Sequence, residues 1–343
     1  MSIVTRKFDT PTESLDGKVV MVTGGTGSFG QTFIKTVLRQ YDIKRLIVFS
    51  RDETKQVEMA SQLVDRESPR LRFFIGDVRD AARLEMAMRG VDYVVHAAAL
   101  KHIPVTEYNP FECIRTNVYG AENVVSAAIR TGVKKVIALS TDKAANPFNL
   151  YGASKLASDK IFVAANHLSG AKETKFSVVR YGNVMGSRGS VIPLFKKLVE
   201  EGAETIPITD TRMTRFWITL DQGVYFVLSS LALMHGGEIF VPKIPSMKIT
   251  DLARALAPNV DQRVIGVRPG EKLHETMITT DDARNTYELS DRYVIEPSMA
   301  FWNPTQNRQP DATLVEETFL YTSDRNQEWL DAKSIFTILK HES

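Results

Sequence analysis

The sequence predicts an α/β protein: a doubly wound parallel sheet with a smaller, discontinuous second lobe. Three observations predict it. Short apolar runs alternate with stretches of helical period from residue 18 to residue 181. The first run ends in a glycine-rich turn that opens a helix. Beyond residue 181 the alternation stops, and segments rich in small and polar residues take over.

Residues 18–23 are almost wholly apolar, as expected of a parallel strand covered on both faces. A helix follows at 28–40, a second strand at 45–49, a helix at 52–66 and a third strand at 71–75. Residues 81–88 are helical and 93–96 form the fourth strand. A long helix at 111–131 leads to the fifth strand at 133–140, and a helix at 151–167 leads to the sixth at 176–180. Such crossovers are right-handed and clothe one sheet with helices. Residues 182–189 read as a binding loop, 193–202 and 221–235 as helices, 237–242 as a short strand and 249–256 as a helix.

The expected division is a cofactor domain at 1–181, with a polar extension at 1–14. A substrate lobe occupies mainly 182–301, with 221–242 returning to the sheet, and an extension follows at 302–343.

Net charge is +2 in 343 residues, too little for a field that gathers nucleic acid or an anionic membrane. One cysteine, Cys113, forms no internal disulfide and reads as a buried small hydrophobe. The start has no apolar leader, and the longest apolar stretch, 224–234, is broken by serines and too short to span a bilayer. The expectation is a cytoplasmic protein with no membrane partner. The six histidines have no metal-type spacing, so no metal site is expected.

Gly24, Thr26, Gly27, Ser28, Phe29 and Gly30 lie between the first strand and the first helix. Glycine there permits a tight turn and close approach to a pyrophosphate, and the helix N-terminus offers free N–H groups. This context makes the sheet Rossmann-type and implies a dinucleotide. An acid at the end of the second strand would hold a ribose hydroxyl and repel a 2′-phosphate. The chain has Ser50 and Arg51 there, which favour NADP. Asp52 and Glu53 follow, and read equally as helix N-terminal acids. Asp77 either accepts from the adenine amino group or caps the next helix; Val78 adjoins it. Ala97 and Ala98 are small enough for the cofactor to lie flat.

Tyr151 and Lys155 are spaced i, i+4 on one helix face, and an ammonium beside a phenol favours the phenolate. Such a phenol takes a hydroxyl proton as the carbon is oxidised, with Thr141 assisting. Asp142 and Lys143, at the end of the fifth strand, add an acid and a carbon base that a plain dehydrogenase does not need. Free Asp and Lys are both charged at neutral pH, so the pair must share protons in an unusual way.

These residues, with the runs 140–147, 180–184, 186–191, 213–216 and 268–275, resemble the C5-inverting UDP-N-acetylglucosamine 4,6-dehydratases of the extended short-chain dehydrogenase/reductase superfamily. The resemblance spans about 15–301. It implies oxidation at C4 of UDP-N-acetylglucosamine, loss of water across C5–C6, hydride return to C6 and inversion at C5. It implies Tyr151 with Lys155 at O4, Lys143 at C5 and Asp142 at the leaving hydroxyl. Asn183 is implied at the diphosphate or sugar hydroxyls, Arg215 and Arg268 at the phosphates, and Glu271 at the uridine ribose. The 186–191 loop, including Val191, is implied at the nucleotide, and Lys101 faces the cleft while His102 is structural. Asn117 either holds a water or kinks its helix. The resemblance further implies a dimer-based homo-oligomer, possibly a hexamer, and a place at the head of pseudaminic acid biosynthesis for flagellin glycosylation. A UDP-sugar 4-epimerase and a non-catalytic NADP-binding sensor are the competing readings.

Overall fold

The structure, a computed structural model, describes residues 6–67, 69–170, 173–299 and 302–341. Residues 1–5 of the expected N-terminal extension, the lobe boundary at Phe301, and residues 342–343 lie outside them.

Six parallel strands build the centre: β1 (Val19–Thr23), β2 (Arg45–Ser50), β3 (Leu71–Ile75), β4 (Tyr93–His96), β5 (Lys135–Thr141) and β6 (Lys175–Tyr181). Their spatial order is 3-2-1-4-5-6, with the order reversing between β1 and β4. Every residue of β1 and β4 is buried, which explains why their sequences are unbroken apolar runs. The strand Ile239–Pro242 adds parallel to β6. Arg292–Ile295, Thr286–Glu288 and Thr313–Leu314 then extend the sheet antiparallel, to ten strands among the described residues.

Helices cover the sheet in two layers. Ser28–Gln40 packs with Leu220–Leu233, while Ala81–Met88 packs on Gly120–Thr131, which packs on Leu150–Leu168. Ser28–Gln40 buries Phe33, Ile34, Val37 and Leu38, one stripe at helical spacing. Each such side chain contributes roughly 1.5–3 kcal/mol of transfer free energy.

The long helix expected at 111–131 is divided. Pro110–Ile114 and Gly120–Thr131 are α-helical, but Arg115–Tyr119 is a π-turn. Asn117 sits in that turn. Its side chain accepts from Leu100 N–H at 2.8 Å and donates to Leu100 C=O at 3.0 Å and to Ser154 Oγ at 2.9 Å. Of the two readings of Asn117, the backbone distortion is the one present: the extra residue turns its amide toward the chain leaving β4.

A second apolar core serves the smaller lobe. Ile192, Phe195, Ile206, Ile208, Trp217 and Leu252 form its centre. The helix Ala332–His341 closes it through Ile335. The segment Tyr321–Thr322 pairs with Thr276–Ile278. The C-terminal stretch, polar and aperiodic in sequence, is therefore woven into both the main sheet and the lobe.

Candidate active site

β1 ends in Thr23, and the glycine loop fills the gap before Ser28–Gln40. Gly24 has φ +66°, and a Cβ there would lie 2.9 Å from Ala98 Cα. A Cβ on Gly30 would lie 2.4 Å from the Gly25 carbonyl. The first glycine brings the loop against the chain leaving β4, and the last brings the helix against the loop. The helix N-cap, Gly27, supplies no side-chain acceptor, so the first N–H groups are free to meet an anion. Ala97 and Ala98 flank this cradle, and Ala98 N–H donates to Thr23 Oγ1 at 3.3 Å. Thr23 Oγ1 also meets His96 Nδ1 at 2.8 Å. Burial, helped by Lys155, pushes His96 down to about 3, so the ring stays neutral.

At the end of β2, Ser50 is buried and its hydroxyl meets Thr26 Oγ1 at 2.9 Å. Arg51 is exposed and lies 3.7 Å from Asp77. Asp52 accepts from Lys55 N–H at 3.0 Å and pairs with Lys55 Nζ. It thus serves the first turn of the helix Glu53–Glu67. Asp77 is engaged by Arg79 at 2.7 Å, whereas the cap of Ala81–Met88 is Asp80, which accepts from Arg83 N–H. Capping is therefore not the task of Asp77. Val78 is buried beneath Gly120, where a Cβ would come within 2.9 Å of it.

β5 runs into a short turn, Asp142–Ala144, that carries the acid–base groups. Asp142 is fully buried. Its Oδ1 accepts from Thr141 Oγ1 at 3.0 Å and from Lys143 Nζ at 3.0 Å, while Oδ2 has no hydrogen-bond partner. Lys143 Nζ also lies 3.1 Å from Glu275 Oε1. Glu275 is 2% exposed, and its Oε2 is likewise without a partner. Arg215 Nε stands 3.7 Å from the same Oε1. Two carboxyl groups and two cations thus share one buried site, reached from three separate stretches of chain.

Burial raises Asp142, Lys143 opposes that, and Glu275 adds to it, leaving Asp142 above the usual carboxylate range. Burial would raise Glu275 too, but Lys143 and Arg215 outweigh it and hold Glu275 low. Burial works against the Lys143 ammonium, yet Asp142 and Glu275 together hold it above the usual lysine range. Asp142 is thus the carboxyl that more readily holds a proton, Glu275 the one that more readily gives it up, and Lys143 the cation between them.

Tyr151 opens the helix Leu150–Leu168. Burial pushes its phenol up to about 12, against the pull of Lys143 and of the Thr141 hydroxyl. Lys155 is 3% exposed, burial lowers it, and Asp159 one turn on opposes that. Its ammonium has no hydrogen-bond acceptor among the described residues. Lys143 is thus a cation that favours the phenolate, while Asp159 opposes the lowering of Lys155. Asp159 in turn accepts from Ser140 Oγ at 2.8 Å and faces Arg180 at 3.4 Å.

Asn149 caps this helix. Its Oδ1 accepts from Gly152 N–H at 2.7 Å, and its Nδ2 donates to Gly270 C=O at 2.7 Å. The loop 268–271 is thereby fastened to the Tyr151 helix. Within it Glu271 has an unpartnered buried Oε2, and Arg268 is half exposed, 3.9 Å from Glu271. Arg215 is buried, and its donors go to the carbonyls of Thr214, Leu273 and Lys272. It braces Glu275 rather than standing open beside Arg268. Asn183 lies in the two-residue strand Asn183–Val184, paired with Trp217–Ile218, and Val191 starts the helix Val191–Glu200. Between them the loop folds over the cofactor cradle. Arg188 N–H donates to Ser28 Oγ at 3.1 Å, and Lys101 Nζ donates to Arg188 C=O at 2.8 Å. Among the described residues no cluster could hold a metal ion.

The free helix N-terminus, the close approach at Gly24 and the unpartnered Lys155 ammonium fit a nicotinamide dinucleotide lying from the glycine loop toward Tyr151. The residues that the sequence reading missed are Glu275, Asp159 and Asn149. Glu275 closes one of the quoted runs, but only folding places it beside Lys143.

A family described as polysaccharide biosynthesis protein matches residues 20–297. The chain is 58% identical over 329 residues to the inverting UDP-N-acetylglucosamine 4,6-dehydratase of Campylobacter jejuni subsp. jejuni serotype O:2, covering 94% of this chain and 98% of that one. It is 46% identical over 285 residues to the UDP-glucose 4-epimerase of Rickettsia conorii, covering 81% and 82%. Among solved structures, Pen from Bacillus thuringiensis matches with a TM-score of 0.88 at 35% identity, over 96% of this chain and 98% of that one. DesIV, the dTDP-glucose 4,6-dehydratase of Streptomyces venezuelae solved with NAD bound, matches with a TM-score of 0.68 at 27% identity, over 74% and 86%. With the glycine cradle, the Tyr–Lys helix and the Asp–Lys turn all set on one Rossmann sheet, the chain belongs to this polysaccharide-biosynthesis family and, within it, to the inverting 4,6-dehydratases of the extended short-chain dehydrogenase/reductase superfamily.

Proposed function

We propose that the protein removes water from UDP-N-acetylglucosamine, giving a 4-keto-6-deoxy sugar inverted at C5. One observation carries this reading: Asp142, fully buried with one carboxyl oxygen unpartnered, lies 3.0 Å from Lys143, and burial raises it above the usual carboxylate range. An epimerase has no departing hydroxyl and no use for such an acid. The likeness to a UDP-glucose 4-epimerase makes that the rival reading.

Bound nicotinamide supplies the reversible two-electron exchange that makes a ketone at C4 and restores the cofactor at the end. The chain's own groups handle protons. Tyr151, drawn toward phenolate by Lys143 and Thr141, takes the O4 proton. The ketone acidifies the C5 hydrogen, and Lys143 in its neutral form removes it. Asp142 gives its proton to the C6 hydroxyl as that leaves, and C5 is reprotonated on the opposite face. Arg268 and Glu271 hold the phosphate and ribose, Asn183 and the loop to Val191 line the same end, and Lys101 holds that loop closed. Incubation with UDP-N-acetylglucosamine and mass analysis of the product tests this: loss of one water is expected. A product of unchanged mass would establish the epimerase, and cofactor binding without turnover would establish a sensor.

NADP is the cofactor of this reading. Ser50 is fixed by Thr26, Arg51 stands exposed at the ribose end, and Asp52 is spent on its own helix. The acid next to Arg51, Asp52, is held by Lys55 rather than aimed at a bare 2′-hydroxyl. Arg51→Ala is expected to weaken NADP roughly ten- to hundred-fold while NAD changes little, the size of one charge-assisted bond. Calorimetric titration with both nucleotides decides it, and equal losses would count against NADP.

The reading also includes a dimer-based assembly, since Tyr108, Phe111 and Tyr119 are exposed along the segment 103–119. Among the described residues no helix is long and apolar enough to cross a membrane. The C5 inversion places the product at the head of pseudaminic acid biosynthesis and flagellin glycosylation, in the cytoplasm.

A further inference from the structure

Glu275 is fixed with unusual care for a carboxylate outside the acid–base turn. Its N–H donates to Ser323 Oγ at 2.9 Å, and its C=O accepts from Ser323 N–H at 2.9 Å. Ser323 Oγ meets Thr214 Oγ1 at 2.7 Å, which also meets His274 Nδ1 at 2.8 Å. The polar C-terminal stretch thus clamps the backbone on both sides of one side chain. That side chain is 2% exposed and points at Lys143 Nζ, 3.1 Å away. Burying a carboxylate costs several kcal/mol unless a partner compensates, and Lys143 with Arg215 is that partner.

The placement raises a question of chemistry. A carbon base must be neutral when it acts, yet the Lys143 ammonium lies between two carboxyl groups. The charged and titratable groups facing it are Asp142, Glu275, Arg215, Lys272 and Tyr151. Asp142 lies 3.0 Å and Glu275 3.1 Å from the ammonium; burial holds Asp142 above the usual carboxylate range, whereas Lys143 and Arg215 hold Glu275 below it, so Glu275 is the more readily charged of the two.

Resting on the dehydratase reading for its chemistry, we propose that Glu275 is a positioning residue: it holds the Lys143 ammonium against Asp142 and governs when Lys143 can serve as a base. While charged, Lys143 draws the Tyr151 phenol toward phenolate for the oxidation at C4. Once it has released a proton to solvent, its neutral amine takes the C5 proton. Glu275 sets the balance between these two forms, and no change in its own bonding is required.

The test uses the full chain with bound cofactor and lysine labelled with carbon-13 at Cε. Lys143→Met assigns the resonance. In Glu275→Gln, which keeps the shape and an acceptor but loses the charge, the Lys143 resonance is expected to titrate roughly 1 to 3 pH units lower. In Glu275→Asp, which keeps the charge, it should titrate close to the wild-type position. An unmoved resonance in Glu275→Gln overturns the inference, whether or not the protein dehydrates UDP-N-acetylglucosamine. Failure of the wild type to remove water overturns the functional reading instead, and the titration still decides the role of Glu275. Where turnover occurs, the acid limb of the C5 deuterium-exchange profile should move to lower pH in Glu275→Gln with KM little altered. A profile that stays in place would mean a merely structural carboxylate.

Discussion

Lys143→Met is expected to abolish solvent deuterium exchange at C5 and product formation, while cofactor and UDP-N-acetylglucosamine still bind. General-base contributions of about 10²- to 10⁴-fold set the scale of the loss. The variant carries a second, structural cost, because removing the ammonium leaves Asp142 without its cation and Glu275 with Arg215 alone. Breaking a buried pair in this way costs on the order of 3–5 kcal/mol until one carboxyl takes up a proton. A lowered melting temperature together with retained nucleotide binding identifies the intended effect. Exchange at C5 that persists at the wild-type rate would remove Lys143 as the carbon base.

Tyr151→Phe is expected to lower kcat by about 10²- to 10⁴-fold with little change in KM, since only the hydroxyl that takes the O4 proton is lost. The effect should appear in the oxidation at C4 itself, before any exchange at C5. The two variants therefore differ in where they act: Tyr151→Phe blocks the oxidation and everything after it, whereas Lys143→Met slows the oxidation by removing the cation beside the phenol and blocks proton removal at C5. Because burial pushes the phenol up to about 12, wild-type activity should rise with pH as the phenolate fraction grows. That rise should be absent from the residual activity of Tyr151→Phe. A variant with undiminished C4 oxidation would assign the proton transfer to another group.

The central sheet was legible because its strands are buried on both faces and so read as unbroken apolar runs. Arg292–Ile295, Thr286–Glu288 and Thr313–Leu314 were not, being short and identified only by partners far along the chain. The π-turn at Asn117 was hidden for a different reason. Apolar spacing continues through 111–131, and the distortion comes from hydrogen bonds to Leu100, which no local pattern reports. The acid–base turn and the Tyr–Lys helix are close in sequence, so their chemistry could be named from spacing. Glu275, Asp159 and the contacts of Arg215 with Glu275 and the carbonyls of Thr214, Lys272 and Leu273 depend on tertiary placement, whereas the phosphate role expected of Arg215 came from the resemblance. Of the two readings of Asp77, the cap is supplied by Asp80 instead, and the Asp77 carboxylate is engaged by Arg79.

Asn149 has a further consequence. One carboxamide rivets the loop at Gly270, which the proposed function assigns to the nucleotide, to the first turn of the helix bearing the phenol. A ligand that tugs on that loop therefore tugs on the base of the catalytic helix. Grip at the uridine end is transmitted mechanically to the hexose end, so a bare sugar lacking its handle would meet an untensioned site.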